Sequence, residues 1–203
     1  MSNNIYSGNS GLTKGQGFSA ANGIALCGYQ QNQYNPSALS LQAKIGDLEP
    51  NTLLPCTPVV IKNDTAAALG TDGMAGFNPK NFIIEKAVTS HTDVIDGFIL
   101  ESPSYITDEA GNGGLVINGG MAAAAKIGSG VEVFLPANAN LINTPLSAAL
   151  YWDPAANELT KETSNTILLK NVQMLSSVIK GRKRKLNSKS VEWADVTCVL
   201  VRL

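Results

Sequence analysis

Ala149-Leu-Tyr-Trp152-Asp-Pro-Ala-Ala-Asn157-Glu-Leu-Thr160 is written as two short strands around a turn. A strand closes at an aromatic residue, Asp153 and Pro154 open the turn, and Asn157 suits the left-handed position from which the chain re-enters a strand. Working outward, the same grammar of brief apolar runs set off by turn residues recurs on both sides. Before it come Thr57 to Lys62, Phe82 to Val88, Val94 to Leu100, Gly114 to Asn118 and Val131 to Leu135. After it come Thr166 to Val172, Met174 to Ile179 and Val196 to Leu203, giving about nine candidate strands at fairly even spacing. The expected fold is all-β, an antiparallel β-barrel or β-sandwich.

Composition agrees with that expectation. Nineteen Gly and nine Pro punctuate 203 residues, and no long stretch keeps a helical period. Only Asp64 to Leu69 and Gly120 to Lys126 look helical, so one or two short helices are expected, although either stretch also reads as a loop. The 44% hydrophobic content and net charge of −1 suit a folded core. The first residues lack the basic and apolar regions of a secretory signal, and no apolar run approaches a membrane span. A soluble, cytoplasmically made chain with no membrane partner is expected.

The first 46 residues contain no Asp or Glu and are rich in Gly, Asn, Gln and Ser. Such a stretch buries too little apolar surface to fold alone. Residues 1–46 are therefore expected to form an extended N-terminal arm laid on a partner, with Tyr6, Phe18, Tyr29 and Tyr34 as its anchors. Residues 47–203 are expected to form the β-domain. Cys27, Cys56 and Cys198 are far apart and show no CxxC pairing, so they are read as small buried apolar residues rather than as a disulfide framework or zinc site.

Catalytic chemistry is hard to place. His91, the one histidine, lies in a Ser-His-Thr-Asp turn, and no GxSxG elbow offers it a nucleophile. The carboxylates are scattered and none stands out as a pair. Thr107 to Gly114 lacks the alternating ligands of a calcium loop, and Gly15-Gln16-Gly17 lacks the lysine and hydroxyl of a phosphate loop. No enzyme, cofactor or metal is expected.

One charge feature is sharp. Lys180-Gly-Arg182-Lys183-Arg184-Lys185, with Lys189, places six basic residues in ten positions, leaving nine basic residues against sixteen acids elsewhere. This stretch, 180–189, reads as a basic hairpin loop that meets an acidic patch on a neighbouring subunit, or is simply solvated. Nucleic acid is the less favoured partner, because no stacking aromatics are interleaved with the cations. Trp152 and Trp193 sit in strand-like contexts where burial is expected, which weighs against a carbohydrate-binding sandwich.

In the C-terminal half, Thr92 to Leu100 with its GFIL strand, Gly130 to Pro136 (GVEVFLP), the Tyr151-Trp152-Asp153 hairpin and the closing Val196 to Leu203 follow one another in a telling order. Over residues 50 to 203 this resembles the small bacteriophage capsid decoration, or structural cement, proteins, most specifically at Tyr151-Trp152-Asp153 and Val201-Arg202-Leu203. The resemblance implies a β-domain that assembles as a homotrimer on the capsid surface of a virion. It also implies contact with the major capsid protein through an N-terminal segment. No catalytic residue carries over. The long arm and the basic stretch before the final strand depart from the pattern. A tail or head-fibre component is the neighbouring alternative.

Overall fold

A computed structural model describes residues 18–19, 24–32, 40–45, 52–63, 82–101, 116–117, 121–187 and 190–203. The chain is all-β. In order, the strands are β1 (Phe18–Ser19), β2 (Ile24–Leu26), β3 (Ser40–Ile45), β4 (Thr52–Leu53), β5 (Pro58–Asn63), β6 (Phe82–Ala87), β7 (Gly97–Ile99), β8 (Val116–Ile117) and β9 (Met121–Lys126). They continue as β10 (Glu132–Pro136), β11 (Leu150–Asp153), β12 (Glu158–Thr160), β13 (Ile167–Leu169), β14 (Gln173–Met174), β15 (Ile179–Asn187) and β16 (Ser190–Arg202). Among the described residues the helical content is a single 3₁₀ turn, Ala139–Leu141, capped by the Asn138 side chain accepting from Asn140 N.

Strands β3, β6, β5, β7 and β9 close into a barrel. So narrow a cylinder must be filled by small and β-branched side chains, and its interior holds Ala43, Val59, Ile61, Ile84, Ile99, Ala122 and Ala124. A second sheet runs β1-β2-β15-β16-β10, with β14 also on β16, and β12-β11-β13 form a third. Period-two alternation sends neighbouring residues to opposite faces. Ile99, Ala122 and Ala124 therefore point into the barrel, whereas Phe98, Ala123 and Ala125 join a larger core with Phe134, Trp152, Leu159 and Leu200. Strands β7 and β9 are thus one wall shared by two hydrophobic cores.

The hairpin that opened the sequence reading forms as expected. Tyr151 pairs with Thr160 and Asp153 with Glu158, Asp153 Oδ1 accepts from Ala155 N and Ala156 N, and Asn157 has φ +53°. His91 is exposed in a turn, as expected.

Three expectations are corrected. Gly120 to Lys126 is not helical: Met121–Lys126 is strand β9, paired with both β3 and β7, because tertiary pairing on two sides outweighs the helix propensity of alanine. The expected helix at Asp64 to Leu69 lies outside the described residues. The described part of the basic stretch is not a loop, since Ile179–Asn187 is a nine-residue strand held to β16 along its whole length, from Ile179–Cys198 to Asn187–Ser190, and Lys189 lies outside the described residues. The described segments of the expected extended arm, residues 1–46, are not free but pair within the chain's own fold. Within them β2 joins β15 in parallel, β3 is a barrel stave, and Ala25, Cys27 and Ala43 are fully buried. The physical reason is backbone pairing: a segment too polar to make its own core is ordered by open strand edges of the same chain.

The segment after β2 behaves as a strap. Cys27 N donates to Arg182 O on β15, then Gly28 N donates to Phe134 O and Gln31 N to Glu132 O on β10. Gly28 makes the crossing possible, with φ +89° and room for no Cβ, which would stand 2.7 Å from Pro55 Cβ. The strap thereby stitches opposite edges of the β15-β16-β10 sheet.

Candidate functional site: a cationic strand beside an apolar groove

Strand β15 carries the concentrated charge, and pairing with β16 decides what each cation does. Arg182 faces Asp195 across the ladder and binds it at 2.8 Å on an open surface. Arg184 faces Trp193, with its guanidinium 4.0 Å from the ring centroid. It also reaches Glu101 at 3.3 Å, and both side chains of that pair are nearly buried. Burial pushes the Glu101 carboxyl above its ordinary range, and Arg184 only partly opposes it. These two arginines are therefore structural partners within the fold. Lys180, Lys183 and Lys185 form no ion pair among the described residues.

Beside the second half of β15 lies a groove of about 380 Å³. Its apolar floor includes Leu53, Pro55, Val88 and Pro136, and its rim is Lys183, Arg184, Lys185 and Leu186. Leu186 is 46% exposed at the edge of this groove.

The expected aromatic anchors fare unevenly. Tyr6 and Tyr34 lie outside the described residues. Phe18 is in β1, in register with Ala25. Tyr29 is half-buried in the strap, where burial and the nearby Glu101 carboxylate raise its phenol above the ordinary value. Tyr29 therefore belongs to the Glu101–Arg184 cluster rather than to a free arm. That cluster escapes sequence reading because Glu101 and Arg184 lie 83 positions apart.

The three cysteines, distant in sequence, are all buried and free, and the fold brings them together. The bond from Cys198 favours the Cys27 thiolate, but the contact with Cys56 and burial outweigh it and hold that thiol well above its ordinary value. The contact with Cys27 and burial raise Cys198 likewise. They pack as small apolar residues with inert thiols. Among the described residues no group of His, Cys, Asp and Glu is placed to hold a metal ion. Among the same residues, no helix is long and apolar enough to cross a membrane.

Compared with protein families, curated proteins and solved structures, the chain matches no family model, no curated protein and no solved structure.

Proposed function

We propose that this protein is a non-enzymatic structural component of a bacteriophage virion that decorates the capsid, binding the lattice of the major capsid protein, as a homotrimer, through the cationic face of β15. The observation carrying this reading is the charge arrangement: Arg182 and Arg184 are held in ion pairs with Asp195 and Glu101, while Lys183 and Lys185, which alternation places on one face of β15, form no ion pair among the described residues. Lysines that form no ion pair among the described residues suit docking on an acidic protein surface, and repetition over a lattice multiplies weak contacts. The rest of the chain, with sixteen acids against nine basic residues, is net acidic, so the positive charge is segregated onto this stretch. The anchor role moves from the N-terminal aromatics to the basic strand, since Tyr29 is occupied within the fold. A carbohydrate-binding role is disfavoured because Trp152 is fully buried and Arg184 covers the Trp193 ring.

Co-sedimentation of the purified chain with capsids lacking it tests the reading. Binding at low ionic strength that weakens at high salt is expected. No co-sedimentation at any salt concentration overturns it.

A further inference from the structure

Antiparallel pairing makes successive residues of a strand aim their backbone groups alternately at the partner and away from it. On β15 the phase is known, because Arg182 O accepts from Cys27 N on the side opposite β16. In the register Arg182–Asp195, Arg184–Trp193 and Leu186–Val191, the backbone N–H and C=O groups of Arg184 and Leu186 therefore also aim away from β16. Beyond Arg182 the strap leaves this edge for β10 at Gly28, and among the described residues no strand takes its place. Among the described residues, an edge left open with outward donors and acceptors, an apolar groove alongside and lysines without an ion pair on its rim thus coincide over Lys183–Leu186.

The geometry points to strand addition: the β15 edge from Lys183 to Leu186 takes an extended peptide segment of a partner protein in which apolar and acidic side chains alternate. Backbone hydrogen bonds to Arg184 and Leu186 set the register. One face of the incoming strand lays apolar side chains on the floor around Leu53, Pro55 and Val88, while its carboxylates meet Lys183 and Lys185. This rests on, and deepens, the reading of the chain as a binding protein, by specifying the chemistry of the partner segment. Charge decides the occupant. An uncharged strand would leave the lysines unmatched, and a basic one would be repelled.

The test uses the full chain and a synthetic peptide, acetyl-Val-Glu-Val-Glu-Val-Glu-amide, with the same peptide carrying lysine in place of glutamate as control. The glutamate peptide is expected to bind and slow amide hydrogen exchange at Arg184 and Leu186, and the lysine peptide to do neither. Lys183→Glu with Lys185→Glu is expected to weaken binding by about tenfold or more. Leu186→Pro removes only an outward N–H, a position where an edge strand accepts proline, and is expected to lose binding while keeping the native melting temperature. Absence of binding, equal binding of both peptides, or binding without added protection at Arg184 and Leu186 overturns strand addition. Should Leu186→Pro unfold the chain, the double lysine variant and the exchange measurement still decide. Peptide failure with capsid co-sedimentation intact sinks the edge but spares the capsid reading, and the converse result does the opposite.

Discussion

The rings of Phe98 and Trp152 meet edge to face, with centroids 5.1 Å apart and planes at 63°. Phe98 stands on the outer surface of the barrel wall and Trp152 on the hairpin strand β11, so this contact joins the barrel to the three-stranded sheet. Both are fully buried. Trp152→Ala is expected to cost about 3–5 kcal/mol in urea unfolding. A double-mutant cycle with Phe98→Leu should return a coupling of about 0.5–1.5 kcal/mol. Among the described residues Trp152 Nε1 is buried without a hydrogen-bond partner, so Trp152→Phe also discards an unsatisfied donor and is expected to cost much less than truncation to alanine.

Removing Arg184 strands Glu101 in a nearly buried site. A carboxyl whose folded value is raised contributes stability at low pH and loses it as pH climbs through that value. Arg184→Ala raises Glu101 further. Its deficit relative to the parent should therefore be small near pH 4 and grow to about 3–5 kcal/mol at pH 7, as read from paired unfolding curves. A deficit independent of pH would falsify the role given to Glu101.

Asp93 shows the opposite sign. Lys86 chiefly, with the amides of Thr89 and Ser90, holds its carboxyl below the ordinary aspartate value. Stability from a depressed carboxyl is present above the ordinary aspartate value and is lost as pH falls through the folded one. Asp93→Asn should thus lower the melting temperature at pH 6 and converge with the parent at the acid end of the titration.

Gly181 faces a crowded spot where an added Cβ would lie 2.5 Å from Cys198 Sγ and 3.0 Å from Ala25 O. Gly181→Ala is expected to destabilise by about 1–3 kcal/mol through overpacking. Combining it with Cys198→Ala, which removes the closer obstacle, should cost less than the sum of the two single changes. Strict additivity in thermal melts would contradict the close approach.

Much of the fold was legible because local chemistry and tertiary outcome agreed. Asp153, Pro154 and Asn157 wrote a turn, and the apolar runs of β5, β6, β10 and β16 wrote strands. Strand β9 was not legible. Its four alanines look the same on both faces because both faces are buried, Ala122 and Ala124 in one core and Ala123 and Ala125 in the other, so no alternation survives to be read. Strand β15 was hidden by its charge, which local reading assigns to a loop. Nine paired positions on β16 impose the extended form instead. The site was half legible: the cations were plain in the sequence. The pairing of the two arginines depends on Glu101, Trp193 and Asp195, which only the folded structure brings to them.

Strand β16 pairs with β10, β14 and β15, all of which precede it in the chain. During synthesis the ribosome releases Ser190–Arg202 only after those neighbours have emerged, so they wait with unfilled edges and bare apolar faces. The barrel staves all lie between Ser40 and Lys126 and have no such wait. Translation therefore sets a timetable in which the barrel can close early, while the other core stays an aggregation hazard until its central strand arrives.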